Sequence, residues 1–410
     1  MTAHGTPAAP EITAVVPTVG RSPWLAACLR ALRRQADAAS LEILVVDQAL
    51  RPLALPAGLA DRVLRPERNL GFAGGTNLGL AAARGELLAT VNDDAVVGPG
   101  WLATLTAALR ADPRAAAAQG INILSGPAGM EIGGDDGSEG GDDDVAQPGE
   151  RLGQDGPERI DGCGLGWNRW WQAIQIGHGE PLPAPGAAAA SPPATGLAPP
   201  LPASSGPAGS DQAPAAAVAP VEIVEIFGVS ATAALFRRSA LEQVALGGEV
   251  FDPRLVSYYE DSELAGRLRA AGFSALLVPA ARARHLGTAS GRTAAAGRER
   301  WRLIYGNRYL AAARLLGRGL WPRLPRMLLR DLLDVAGPAA LRHALLRRDR
   351  RPLPGDRWTG PGARRGRLSG MAAGWGRALR HLPSFARTGA PAPSPAEVAR
   401  LSGWPTPWRR

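Results

Sequence analysis

The chain contains no lysine: every one of the 46 side chains counted as Lys or Arg is arginine. It has only two cysteines, Cys28 and Cys163, in unrelated contexts. Such sparse cysteine excludes a disulfide framework and a cysteine zinc site. No apolar run approaches the roughly 20 residues that a membrane span needs. The opening MTAHGTPAAPEITAVV lacks the basic segment and long apolar stretch of a signal peptide. A cytoplasmic protein is therefore expected, with peripheral attachment to the inner face of the plasma membrane as an extension of that expectation.

Acidic residues are scarce where arginine is dense. Residues 298–410 hold 24 Arg against 6 acids, and residues 131–158 hold 10 acids against one Arg, within a net charge of +9. The basic character belongs to the C-terminal third, which suits an anionic lipid or a phosphorylated acceptor. Nucleic acid is not expected, because no helix-turn-helix, zinc-finger or aromatic-basic sheet pattern accompanies the charge.

What is present, between residues 11 and 124, is an alternation of strand and helix. ITAVVP (12–17), LEILVVD (41–47) and LLATVND (87–93) read as buried strands. Between and after them, 22–35, 77–84 and 100–111 read as helices. Strands alternating with helices at this spacing predict an α/β fold, with a mostly parallel sheet covered on both faces. Residues 125–220 break the pattern. An acidic glycine-rich tract and a Pro/Ala/Gly/Ser tract, neither expected to order alone, flank a tryptophan-bearing island at 159–181.

Order resumes with a strand-like segment at 221–238. Helices are expected at 239–246 and 260–272, and a strand at 273–279. Residues 298–348 read as a basic helical region. Its mixture of Leu, Trp and Arg suits either an anionic membrane face or packing on the preceding domain with Arg in water. Residues 349–410 read as a poorly ordered Pro/Gly/Arg-rich tail.

Ligands of open α/β sheets bind at the carboxyl ends of the strands. Three polar signals stand at such ends: Thr18 to Arg21, Asp47, and Asn92-Asp93-Asp94. A strand-end carboxylate can accept from a base or ribose, and paired acids can hold a divalent cation bridging two phosphates. Taken singly, Asp47 fits a helix cap and Asp93-Asp94 fits a turn. The glycine-rich NLGFAGGTNLG (69–79) fits neither the dinucleotide fingerprint nor the Walker loop. Its position at a helix start could still bring backbone close to a phosphate or sugar. Glu260 and Asp261 open a helix beside Tyr258 and Tyr259, as caps or as carboxylates placed to deprotonate a hydroxyl. His285, just past a strand, is either structural or a metal ligand.

These segments resemble glycosyltransferase family 2, especially its rhamnosyltransferase-like bacterial branch with the GT-A fold. The resemblance is carried in order by ITAVVPTVGR, EILVVD, RNLGFAGGTNLGLAAARGELLATVNDDAVV, IFGVSATAALFRRSALEQV, FDPRLVSYYEDSELAGRLRAAGFSALLVPAARARHLGTAS and RLIYGNRYL. Two departures stand out: VVDQAL lacks the usual Asn and Ser contacts, and the D-x-D position begins with Asn92. The island's RIDGCGLG is similar to a short motif of the branch.

The resemblance implies a Rossmann-like GT-A sheet with a helical basic C-terminal extension. Residues 11–124 would form the nucleotide-sugar half and 221–297 the acceptor and catalytic half, with 125–220 inserted. It implies Thr18 and Arg21 in the nucleotide pocket, Asp47 on the base, and Asn69, Gly71 and Asn77 shaping the surrounding wall. Asn92-Asp93-Asp94 would take the metal-motif position, with Asp94 and His285 holding Mg²⁺ or Mn²⁺. Asp261, with Glu260 beside it, would be the general base. The implied partners are a dTDP-, UDP- or GDP-sugar donor and a glycan or lipid-linked acceptor in cell-surface polysaccharide synthesis. The competing expectation is a non-catalytic GT-A-like module that binds nucleotide or glycan.

Overall fold

Buried strands with side chains on both faces organise the molecule. In the computed structural model, β1 (Ile12–Thr18) is buried along its whole length. Its Ala14 and Val16 point into one apolar layer, and Val15 points into the layer on the opposite face. The first layer is closed by α1 (Leu25–Arg33) and later by α3 (Trp101–Ala111). The second is closed by α2 (Gly71–Ala82), α4 (Arg238–Val244) and α5 (Glu260–Ala270). The structure describes residues 9–35, 40–125, 158–182, 223–287, 294–336, 361–386 and 393–403.

The remaining strands are β2 (Leu41–Asp47), β3 (Arg62–Leu64), β4 (Leu87–Val91), β5 (Ala95–Val97), β6 (Ala115–Leu124), β7 (Arg159–Gly162), β8 (Leu165–Trp167), β9 (Ala173–Gln175), β10 (Val224–Ile226), β11 (Ala233–Arg237) and β12 (Ser274–His285). The sheet runs β10-β12-β6-β11-β4-β1-β2-β3, with β5 on β12 and β7 on β6. Along that path β12–β6, β4–β1, β1–β2 and β2–β3 are parallel. The expected α/β class, with its helix-flanked, mostly parallel sheet, is present. The segment expected as a single strand at 221–238 divides into β10 and β11, with the turn-forming Gly228–Thr232 between them.

Three sequence expectations need correction. The glycines of 69–79 lie inside α2 rather than in a loop before it. A Cβ on Gly79 would sit 2.2 Å from Val15, and one on Gly75 2.2 Å from Gln48. Bare backbone thus lets the helix lie close on β1 and the end of β2. The strand expected at 273–279 extends to His285, with a register shift between Leu277 and Arg282. Gly120 of β6 accommodates that irregularity, since a Cβ there would meet the Ala281 carbonyl at 1.9 Å.

The third concerns the tail. Beyond α6 (Ala294–Leu316), a 3-10 helix (Gly317–Arg323) and α7 (Leu324–Ala336), two further helices form: α8 (Pro361–Ala386) and α9 (Pro395–Leu401). Glycines that read as a disorder signal are the contact surface of α8. A Cβ on Gly374 would lie 2.7 Å from the Arg302 carbonyl, and one on Gly370 2.6 Å from Trp301 of α6. Residues 337–348 of the expected basic helical region lie outside the described residues, as do the acidic tract through residue 157 and the Pro/Ala tract at 183–222.

The island at 158–182 belongs to the main body. Its β7 extends the sheet, and its Trp167 and Trp170 are buried. Arg308 of α6 donates to the carbonyls of Trp170 (2.5 Å) and Trp171 (3.2 Å). Ser402 Oγ accepts from Trp167 N at 2.8 Å. The C-terminal helices and the island thus hold each other in place.

Candidate active site

The carboxyl ends of β1, β2 and β4 lie side by side, because Thr18 pairs with Asp47 and β1 also pairs with β4. Thr18 Oγ1 donates to Asp93 Oδ2 at 2.5 Å, and Ser22 Oγ donates to the Asp93 carbonyl at 2.9 Å. Burial pushes the Asp93 carboxyl up to about 6; the Thr18 hydrogen bond opposes this and the charge of Asp94 adds to it. Asn92 Oδ1 in the same turn is buried with no hydrogen-bond partner among the described residues. Arg21 stands exposed at the rim.

Asp94 is 5% exposed and faces a histidine. β12 ends antiparallel to β5, with His285 opposite Ala95. There His285 Nε2 lies 3.1 Å from Asp94 Oδ1, and His285 Nδ1 lies 2.8 Å from Asp161 Oδ2. Asp161 comes from the island strand β7, and its other oxygen lies 3.4 Å from His178 Nδ1. Burial alone would lower the His285 pKa. The hydrogen bonds to Asp161 and Asp94, with their charges, outweigh it and raise the ring to about 10. Asp161 is held well below the usual carboxylate range: burial acts the other way, and the two histidines overcome it.

A metal-ligating imidazole characteristically has a carboxylate behind it that sets its tautomer and orientation. Asp94, His285 and Asp161 form such an arrangement, in which the Asp94 carboxylate is the donor type that suits Mg²⁺ or Mn²⁺. Among the described residues, no group of three or more side chains converges as a ready metal cage. Mg²⁺ in particular is commonly held by one or two carboxylates together with substrate phosphates. Asp161 was not singled out from the sequence. The available clue was the acid of RIDGCGLG, isolated between two low-complexity tracts.

Asp47 is buried at the β2 end. It accepts from Ala49 N at 2.9 Å, Leu53 N at 3.0 Å and Arg65 Nη1 at 2.5 Å. Gln48 accepts from Leu70 N at 2.8 Å and donates to the Gly71 carbonyl at 3.3 Å. It therefore ties the sheet to the start of α2. Asn69 Oδ1 accepts from Gly71 N at 2.8 Å.

Asn77 and Gly71 act on a loop. Asn77 Nδ2 donates to the Phe251 carbonyl at 2.7 Å, and its Oδ1 accepts from Phe251 N at 2.9 Å. Gly71 has φ +75°, and a Cβ there would lie 2.6 Å from Val256. Ala73 N donates to the Val256 carbonyl at 2.9 Å. These residues shape the site indirectly, by docking the segment that leads to Asp261 on α2.

That segment is strained. Val256, Tyr258 and Tyr259 have φ of 65°, 68° and 71°, three of the four non-glycine residues with positive φ among those described. Left-handed backbone costs such residues roughly 1–3 kcal/mol each. Asn307 of α6 holds them: its Nδ2 lies 2.7, 2.9 and 2.8 Å from the carbonyls of Leu255, Ser257 and Tyr258. Arg377 of α8 donates to Asn307 Oδ1 in turn.

Glu260 and Asp261 follow, at the N-terminus of α5. Asp261 Oδ1 accepts from Ser262 N at 2.7 Å and Ser262 Oγ at 3.2 Å, and the Ala231 backbone adds a hydrogen bond. Glu260 is buried, and its Oε2 has no partner among the described residues. Burial and the adjacent Asp261 charge push Glu260 up to about 8, and burial also raises Asp261. Glu260, the poorer in donors, favours its neutral form, and the three donors to Asp261 favour its charged form.

The two clusters meet through Gly228–Thr232. Asn92 N donates to the Thr232 carbonyl at 2.8 Å, while the neighbouring Ala231 backbone bonds Asp261. One short turn therefore touches the metal-motif position and the carboxylate at the start of α5.

Residues 13–126 match the model of glycosyl transferase family 2. The family 2 segment thus contains Thr18, Asp47 and Asn92-Asp93-Asp94, while Asp161, Asp261 and His285 come from beyond it. Similar solved structures include GalNAc-T7 with UDP, GalNAc and Mn²⁺, at 13% identity and TM-score 0.44, covering 92% of this chain and 58% of that one. A mannosyltransferase from Pyrobaculum calidifontis in complex with GDP-Man and Mn²⁺ has 16% identity and TM-score 0.42, with 91% and 88% covered. TarS of S. aureus has 13% identity and TM-score 0.38, with 88% and 54% covered. The chain thus spans little more than half the length of GalNAc-T7 and TarS. A comparison with the curated proteins returns no match.

Proposed function

We propose that this protein is an inverting GT-A glycosyltransferase that moves a sugar from a nucleoside-diphosphate sugar to a hydroxyl of a glycan or lipid-linked acceptor. The observation that carries this reading is the Gly228–Thr232 turn, whose adjacent residues Thr232 and Ala231 bond Asn92 and Asp261 respectively. It supports a single cleft with a phosphate side and a hydroxyl side. Thr18, Arg21, Asp47, Asn92 and Asp93 would line the donor side. Asp94 and His285 would hold Mg²⁺ or Mn²⁺, which neutralises charge building on the leaving diphosphate. Asp161 would keep the imidazole turned toward Asp94.

Asp261 takes the acceptor proton as the hydroxyl oxygen bonds to the anomeric carbon. The bond from that carbon to the diphosphate oxygen breaks on the opposite face, releasing nucleoside diphosphate and inverting the centre. Glu260 holds its proton and leaves the charge on Asp261. By resemblance, dTDP-rhamnose is the first donor to try, followed by UDP- and GDP-sugars.

The test is a panel of nucleotide sugars with Mn²⁺, read by thermal shift and by donor hydrolysis. Asp261→Asn should keep donor binding and lose about 10²–10⁴-fold in transfer. Asp94→Ala should abolish metal-dependent binding of the nucleotide. Transfer by Asp261→Asn at the wild-type rate would overturn the base assignment. Donor binding without any turnover would favour a binding module.

A further inference from the structure

α7 buries charged side chains and exposes a patch of leucines. Arg330, Asp331 and Asp334 point inward and are at most 5% exposed. Asp331 accepts from Tyr309 Oη at 2.5 Å and Trp375 Nε1 at 3.1 Å, and pairs with Arg308. Asp334 accepts from Tyr305 Oη at 3.0 Å and Arg367 Nη2 at 2.6 Å. Met327, Leu333 and Val335 of the same helix are also buried, but three leucines face outward: Leu328 is 37% exposed, Leu329 50% and Leu332 46%, and Trp321 just before them 57%. Of ten exposed large apolar side chains among the described residues, four fall within these twelve positions. Clustered exposure of this kind marks a face that meets something apolar.

The charge beside it selects the partner. Residues 317–330 carry Arg318, Arg323, Arg326 and Arg330 and no acid. Arg318 and Arg326 are exposed, and Arg326 lies beside Leu329. A groove next to Leu329 is lined by Arg169, Trp170, Pro325 and Arg326, with the Arg326 guanidinium 4.6 Å from the Trp170 ring centroid. Guanidinium groups beside apolar walls suit a lipid phosphate with the first carbons of its acyl chains. A second copy of the chain would bring the same arginines against each other, which like-charge repulsion opposes. No described helix is long and apolar enough to cross a membrane, so this one would lie along the surface.

We infer that α7 rests on an anionic phospholipid surface through Trp321, Leu328, Leu329 and Leu332, with Arg318 and Arg326 at the headgroups. The inference stands apart from the enzymatic reading and needs no donor or acceptor to test. Vesicles of equal parts phosphatidylglycerol and phosphatidylcholine, and vesicles of phosphatidylcholine alone, are floated with the full chain at low salt. Binding is expected to the anionic vesicles, weakened by added salt. The triple variant Leu328→Ser, Leu329→Ser, Leu332→Ser should lose about tenfold or more in affinity. Because these side chains are already solvent-exposed, its melting temperature should stay within a few degrees of wild type. Arg318→Glu, which leaves the leucines in place, should weaken anionic binding alone.

Absence of wild-type binding, or equal binding to both vesicle types, would overturn the proposal. So would a wild-type dimer in light scattering that the triple variant abolishes, since the face would then belong to a second copy.

Discussion

The two sides of the proposed cleft, a phosphate side and a hydroxyl side, are built from different materials. The phosphate side is made of strand ends: Thr18, Asp47 and Asp94 sit where parallel strands stop, and β12 delivers His285 beside them. The hydroxyl side is a loop with three left-handed residues, fastened by an asparagine from a helix beyond the sheet. The first side is positioned by the sheet ladder. The second is positioned by α6 and α8, so helices far along the chain set the geometry of Asp261. Loss of the Asn307 tether should therefore appear in turnover while donor binding survives.

The strongest test of that division lies on the phosphate side. Asp161→Asn removes the carboxylate charge that orients His285 while leaving the ring and Asp94 in place. Loss of such a supporting carboxylate typically costs about 10–100-fold in metal affinity. Calorimetric titration of Mn²⁺ into protein with a nucleoside diphosphate should show that loss. An unchanged affinity would mean that His285 is oriented without Asp161 or does not bind the ion. Next in size is Asn307→Ala, which frees the Leu255, Ser257 and Tyr258 carbonyls. Net hydrogen-bond values predict a stability loss of about 1–3 kcal/mol, with a kcat reduction of roughly tenfold if the loop relaxes. Donor KM and Mn²⁺ affinity should not move. A fall in Mn²⁺ affinity equal to that in kcat would erase the distinction between the two sides.

The same division separates what the sequence disclosed from what it did not. Ile12–Thr18 and Leu41–Asp47 were legible because strands buried on both faces read as unbroken apolar runs, and their terminal polar residues then mark a ligand edge. Glu260 and Asp261 were legible as acids at a helix start. Glycine misled twice. In α2 and α8 it serves close contact between backbones, and composition alone gives Gly79 or Gly374 the look of a chain breaker. Asp161 was missed because its partner His285 lies 124 positions away. Asn307 sat in plain view within RLIYGNRYL, but an asparagine inside a helix shows no partner until the fold brings Ser257 and Tyr258 to it. The outward leucines of α7 were equally hidden, because its Leu and Arg spacing suits either orientation until the buried acids identify the inner face.

The smallest expected effect concerns the proton on Glu260. A folded-state pKa raised from 4.5 to about 8 means that the native state favours the neutral acid. Its contribution to stability is full below the ordinary glutamate value and declines as pH rises through about 8, because the unfolded chain releases the proton more readily. Glu260→Gln keeps the shape, removes the titration and leaves the charge on Asp261. Its stability should vary less than that of wild type across this window, with the variant ahead at the alkaline end. Denaturant unfolding at several pH values measures the difference. Parallel stability curves for the two proteins would mean that Glu260 carries no such proton, and the account of why Asp261 holds the negative charge would fail with it.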